Sequence, residues 1–150
     1  DWELLLVGDG PDKKQLVDYV REHSVGNVVF AGFQKDPPIE YFANASVFLL
    51  TSDLEGFGLV VIESMSYGAV PIVYGSYEAI YDIIDDGKSG FILPKPFNSQ
   101  ILAEKMEFLI ENEVQRRNMS IEAIKKSKSF TLDVVIKKWY EVLSDVQCNS

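Results

Sequence analysis

Cysteine is nearly absent from this chain: Cys148 stands alone, which excludes an intrachain disulfide framework and any cysteine-based zinc site. That usage fits the cytosol. Histidine is equally scarce. His23 closes a helical segment without an acidic or serine partner motif and reads as an exposed side chain. Long apolar runs are missing too: nothing approaches the about 18 to 20 residues that a membrane span needs. The N-terminus also lacks the basic and apolar regions of a signal peptide. Basic charge is short as well, with 14 Lys and Arg against 23 Asp and Glu for a net charge of −9. A chain this acidic is poorly suited to neutralising phosphates, which argues against nucleic acid as a partner.

What is present is a 150-residue chain, 47% hydrophobic, a length for one domain with one core and a composition that excludes disordered and fibrous classes. The charge is uneven: residues 1–115 hold 7 basic and 19 acidic side chains, whereas residues 116–150 hold 7 basic and 4 acidic. The chain opens on Asp1 and runs at once into Leu4-Leu5-Leu6-Val7, an abrupt start that suggests a piece of a longer protein.

Short apolar runs of strand length recur at Leu4–Val7, Val28–Phe30, Val47–Leu50, Val70–Val73 and Phe91–Leu93, each bounded by Gly, Pro, Asp or Asn. Runs apolar at every position predict strands buried on both faces, as in parallel sheets. Helical patterns lie between them at Pro11–His23, Ile39–Ala45 after the Pro37-Pro38 breaker, about Phe57–Tyr67 ending at Gly68, and Tyr77–Ile84 ending at Asp85-Asp86-Gly87. Propensity alone favours a strand for Phe57-Gly58-Leu59-Val60-Val61-Ile62. A helix is the better reading, because a strand already ends near Leu50 and Gly68 is a natural helix stop. The alternation predicts an α/β fold, a doubly wound parallel sheet of Rossmann-like type whose ligands lie at the carboxyl ends of the strands.

The last third predicts extra C-terminal helices at Ser99–Glu111, Glu113–Lys126 and Leu132–Val146, the last with a Thr131 N-cap. Leu132, Val135, Ile136, Trp139, Tyr140, Leu143 and Val146 recur there at helical spacing, and Trp139 and Tyr140 are expected in the core. Arg116, Arg117, Lys125, Lys126, Lys128, Lys137 and Lys138 read as a solvated face of these helices, with contact to an anionic membrane surface as the alternative. The location expected is cytoplasmic, peripheral at most on the inner face of a membrane. Asp82, Asp85 and Asp86 lack calcium-loop spacing, and Asp85-Asp86-Gly87-Lys88 reads as a turn.

Three glycine turns follow strands: Gly8-Asp9-Gly10-Pro11, Ala31-Gly32-Phe33 and Glu55-Gly56-Phe57-Gly58. Glycine lets backbone approach a ligand closely, and a helix N-terminus offers unpaired N–H groups to an anion. Neither Gly8-x-Gly10 nor Gly56-x-Gly58 completes a dinucleotide fingerprint, and there is no Gly-Lys-Ser/Thr phosphate loop. Taken singly they also fit ordinary strand-to-helix turns. Glu55 and Glu63 bracket the third. Glu63 sits among Val60, Val61, Ile62 and Met65, where a carboxylate needs partners. It reads either as a dipole-stabilised structural residue or as a ligand for a ribose diol, since one carboxylate accepts from two vicinal hydroxyls.

The run from Ser52 to Val73, centred on Glu55-Gly56-Phe57-Gly58-Leu59-Val60-Val61-Ile62-Glu63, resembles the Glu-x7-Glu signature of the retaining glycosyltransferase family 4, which comprises two-domain GT-B enzymes. Val7-Gly8-Asp9-Gly10-Pro11, Val28-Val29-Phe30-Ala31-Gly32, Tyr41 to Val47 and Asp86 to Leu93 are similar to other segments of the family, so the resemblance spans about residues 4 to 145 in order. It implies that residues 1–150 are the nucleotide-sugar-binding C-terminal domain of such an enzyme, truncated at its N-terminal edge and inactive alone.

Within that resemblance, Glu63 would hold the ribose of a UDP- or GDP-sugar, and Glu55 would act at the transferred sugar. Backbone N–H groups of Gly56, Phe57, Gly58 and Leu59 would meet sugar and phosphates, with Gly8, Gly10 and Phe33 lining the rest of the donor site. No metal or other cofactor is implied, and the acceptor glycan or lipid would be held by an N-terminal domain absent from the chain. The family's diphosphate-gripping basic residues would lie upstream, since Lys35 and Lys88 alone cannot neutralise a diphosphate against this acidic background. Ser64, where the family often has Ala, is a minor departure. In the family the C-terminal helix also touches the other domain, and an exposed apolar patch there would mark that partner. The competing class is a phospho-signalling receiver-like module with Asp53 as acceptor. It shares the doubly wound fold, but here only a single acid, Asp9, follows the first strand, and the extra helices have no place in it.

Overall fold

The structure, a computed structural model, describes residues 2–35 and 39–148, with side chains as far as Ser144. The Pro37-Pro38 breaker and the Val146 and Cys148 side chains lie outside what is described. The chain divides into two compact units, Asp1–Ile39 and Glu40–Ser150.

The first unit holds β1 (Leu4–Val7), α1 (Lys13–Glu22) and β2 (Val28–Gly32). The strands pair in parallel with Leu4 opposite Val28, and an irregularity after Leu6 sets Val7 opposite Gly32. The predicted burial on both faces is not met here, for no described residue of this unit is buried. Two strands and one helix supply cover for one sheet face only. α1 begins at Lys13, two residues later than the sequence predicts, because the Lys13 N–H closes a turn onto the Gly10 carbonyl at 3.2 Å. His23 is exposed at the end of α1, with Nδ1 2.9 Å from the Tyr19 carbonyl and its ring stacked on Tyr19.

The second unit runs α2 (Ile39–Asn44), β3 (Val47–Leu50), α3 (Leu59–Ser66), β4 (Val70–Tyr74), α4 (Ile80–Ile83), β5 (Phe91–Leu93), α5 (Ser99–Glu111), α6 (Glu113–Ser127), a 3-10 turn (Lys128–Phe130) and α7 (Leu132–Cys148). Its three strands are parallel in the order β3-β4-β5. Side chains alternate across that sheet with period two. Val47, Leu49, Val70, Ile72, Tyr74, Phe91 and Leu93 pack with α5 and with Met119 of α6. Phe48, Leu50, Val73 and Ile92 pack with α3, α4 and Ala123 of α6. Right-handed crossovers between successive parallel strands put α3 and α4 on one face, which leaves the other to α5. β4 is buried at every residue, as its unbroken apolar run predicts.

The Phe57–Ile62 segment resolves as helix rather than strand, but α3 starts only at Leu59 because Gly58 adopts a left-handed conformation, φ +88°. α4 is likewise shorter than predicted, since Ser76 to Ala79 form a loop and turn before it. Asp85 to Ser89 form the expected turn, in which the Asp85 carbonyl accepts from both Lys88 and Ser89 at 2.9 Å. Thr131 stands just before α7, and its carbonyl accepts from Val135 at 3.0 Å while its hydroxyl donates back to Lys128 at 3.1 Å.

Two readings need correction. Trp139 and Tyr140 are not core residues: they are 62% and 69% exposed, beside exposed Leu132, Val142 and Leu143. The helical period marks an apolar face, but the main neighbour of α7 is the short turn before it, so that face has little to bury against. The basic cluster is also more than a solvated face. Arg116 Nη1 donates to the Leu109 carbonyl at 2.5 Å, capping the end of α5, and Lys126 pairs with Asp85 at 2.7 Å.

Asn98 caps α5, its Oδ1 accepting from Gln100 N at 2.8 Å and Ile101 N at 3.4 Å. Asn98→Ala is expected to cost about 1 kcal/mol of stability, measurable as a lower midpoint in urea at unchanged slope.

Candidate functional site

In the second unit, parallel strands bring the loop after β3 and the loop after β4 to the same sheet edge. The two are tied: Ser76 Oγ donates to the Ser52 carbonyl at 2.7 Å. Past this anchor the chain passes through exposed Asp53 and Leu54, half-buried Glu55, exposed Gly56 and Phe57, and buried Gly58 before α3 begins. Phe57 packs edge-on against Phe130 at 6.3 Å.

Gly56 and Gly58 have different reasons to be glycine. A Cβ on Gly56 would meet nothing within 4 Å, so its lack of a side chain keeps the loop surface open. At Gly58, which needs a positive φ, a Cβ would overlap the Tyr77 hydroxyl and stand 3.1 Å from Tyr77 Cζ. Being glycine, the N-cap offers no side-chain acceptor to the first turn of α3. Leu59 and Val60 therefore present N–H groups that an α-helix does not satisfy internally.

Glu63 is the fifth residue of α3, one turn in rather than about two, because the helix starts at Leu59. Val61, Ser64 and Met65 face the core, and Ser64 Oγ donates to the Val61 carbonyl at 2.8 Å. Glu63 is exposed. The expectation that its apolar neighbours oblige it to find a partner therefore fails, since the carboxylate stays in water on the outer side of the helix.

The remaining predicted residues belong to the first unit. Gly8 (φ +137°) and Gly10 flank Asp9 at the carboxyl end of β1, and Phe33, 75% exposed, follows β2. The two ends are joined by the Gly8 N–H donating to the Gly32 carbonyl at 2.9 Å. Asp9 accepts from Gly10 N at 2.9 Å and from Lys13 Nζ at 2.8 Å, and these bonds hold its carboxyl below the usual range.

Sequence reasoning passed over two residues. Lys13 brings a cation to this edge, with Nζ 3.9 Å from where a Cβ on Gly32 would stand; the i,i+4 spacing from Asp9 was its available signal. Tyr77 had no such signal, since its place under Gly58 depends on the fold. Burial pushes the Tyr77 hydroxyl above its ordinary pKa, with the Glu55 charge acting in the same direction. Lys88, by contrast, is engaged with Glu122 at 3.1 Å. Among the described residues there is no group of three or more His, Cys, Asp or Glu side chains placed to hold a metal ion. No described helix is long and apolar enough to cross a membrane.

This arrangement of glycine loop, uncapped helix and paired glutamates falls inside a longer match to known sequences. The profile of the family described as "Glycosyl transferases group 1" matches residues 1–126. The chain belongs to that family. This group 1 member is similar to the amylovoran biosynthesis glycosyltransferase AmsD of Erwinia amylovora, 26% identical over 143 residues that cover 95% of this chain and 40% of the relative. It is also similar to the N-acetyl-alpha-D-glucosaminyl L-malate synthase of Bacillus anthracis, 30% identical over 148 residues, or 97% of this chain and 38% of the relative. Among solved structures it resembles Anabaena Alr3699/HepE in complex with UDP and glucose, with a TM-score of 0.79 at 25% identity over 95% of this chain and 40% of that one. The parallel strands and flanking helices match the Rossmann-like fold of GT-B glycosyltransferases, and the chain spans about 40% of the length of these relatives.

Gly58→Ala is expected to lower stability by about 2 kcal/mol or more, from a disfavoured φ and overlap with Tyr77. Gly56→Ala should stay within about 0.5 kcal/mol of the parent. Thermal denaturation of both variants checks the contrast.

Proposed function

We propose that this chain is the donor-binding C-terminal domain of a retaining GT-B glycosyltransferase of family 4. It would transfer a sugar from a UDP- or GDP-sugar to a hydroxyl of a glycan, lipid or other acceptor held by an N-terminal domain, and the chain alone would be inactive. The observation that carries this reading is the glycine loop ending on the uncapped first turn of α3, with Glu55 before it and exposed Glu63 one turn beyond. Backbone N–H groups and the helix dipole attract phosphate oxygens there, and the two carboxylates accept hydrogen bonds from sugar hydroxyls.

In this reading Glu63 accepts from both ribose hydroxyls, while Glu55 accepts from hydroxyls of the transferred sugar beside its anomeric carbon. The acceptor oxygen bonds to that carbon on the face from which the diphosphate departs, so configuration is retained. As the carbon–oxygen bond to the diphosphate breaks, the acceptor's proton passes to a phosphate oxygen, and no step is routed through a metal. Most of the charge that balances the diphosphate would come from outside the chain. The exposed apolar face of α7 suits a helix that meets the other domain. The work would be cytoplasmic, with contact to the membrane peripheral at most.

Hydrogen bonds to a charged acceptor contribute roughly 1.5–3 kcal/mol. Glu63→Ala in the intact enzyme should therefore weaken UDP or GDP binding by about 10- to 100-fold, read by calorimetric titration. Glu55→Ala should leave nucleotide affinity within about twofold and reduce transfer by about 100-fold. Equal nucleotide affinity in Glu63→Ala and the parent would refute the ribose role.

A further inference from the structure

Tyr77 is 9% exposed, and its buried hydroxyl has no hydrogen-bond partner among the described residues. A buried O–H without an acceptor is costly, and phenylalanine would fill the same apolar environment of Val61, Val73 and Ile80 without that cost. The hydroxyl is also specifically aimed. It lies against Gly58, so closely that a Cβ there would overlap it and one of the two would have to move. The backbone that carries it is held by the Ser76 bond to Ser52, three residues upstream of Glu55. Glu55 is half-buried on the same loop, and its charge is felt at the phenol. An unpaired donor from the loop after β4 thus lies against the loop after β3, which carries a half-buried carboxylate and leads into the uncapped start of α3.

We propose that Tyr77 is a positioning residue for Glu55: its hydroxyl, unpaired in the free protein, donates to the Glu55 carboxylate when a donor sugar occupies the glycine loop. This rests on the donor-site reading above. The bond holds one carboxylate oxygen and leaves the other to accept from the sugar, so orientation of Glu55 is completed only on loading. The cost of an unsatisfied hydroxyl in the free state is retained because its bond forms where the chemistry occurs.

The test compares Tyr77→Phe with the parent in the intact enzyme. The variant should melt a few degrees higher, because an unsatisfied donor is removed. It should bind UDP or GDP and the donor sugar within about twofold of the parent, and its kcat should fall about tenfold. In a Glu55→Ala background the same substitution should cost nothing further in kcat. Greater stability together with lower kcat at constant KM is a signature that a merely structural tyrosine does not produce. An unchanged kcat, a lower melting temperature, or an undiminished loss in the Glu55→Ala background each overturns the inference; the last would place the hydroxyl on the donor itself. Parent protein that binds no nucleoside diphosphate removes the donor-site reading, and this inference with it.

Discussion

Burial of β4 on both faces is the constraint on which the larger unit depends. Val70, Ile72 and Tyr74 face α5 and Met119 of α6, while Val73 faces α3 and α4. A strand enclosed in this way cannot slip by one residue without exchanging its two faces. Its register with β3, Val47 opposite Val70 through Leu50 opposite Val73, therefore also fixes where the chain leaves both strands. The loops that carry Glu55 and Tyr77 leave from those two ends. The geometry of these loops is thus set by packing several residues away from them.

Gly58 and Tyr77 show how little freedom remains at that edge. The glycine is required twice over, by its φ and by the ring beneath it. Because glycine also lacks a capping side chain, the same residue that closes the packing leaves the start of α3 open to an anion. Tight packing and an uncapped helix start come from one position. Gly56, with nothing near it, contributes only access.

Much of this architecture was legible in the residues. All five strands lie where apolar runs of strand length predict them; for β4 the reason is full burial on both faces, which demands unbroken apolarity, while β1 and β2 form without it. The candidate segment stood out for a different reason: taken singly its glycines fit an ordinary strand-to-helix turn, and it was the resemblance of the whole Glu-x7-Glu run to a family signature that singled it out. Helix starts were less legible. α3 begins late because the left-handed Gly58, set against Tyr77 from across the chain, takes Phe57 and Gly58 out of the helix, and α4 begins late because Tyr77 to Ala79 form a bend and turn before it. Trp139 and Tyr140 were misplaced because a helical period reports that a face is apolar, not that a partner is at hand.

The sequence by itself determined the α/β class and the order of strands and helices, which depend on local composition and period, while the family and the short list of candidate residues came from the resemblance of its motifs. Only the tertiary structure decided that Glu63 looks outward, that Lys13 reaches the edge beside Gly32, that Arg116 closes the end of α5, and that an unpaired Tyr77 hydroxyl lies under the glycine loop. These are matters of direction and approach between residues far apart in the chain. Hydrophobic pattern carries no information about where a polar atom points.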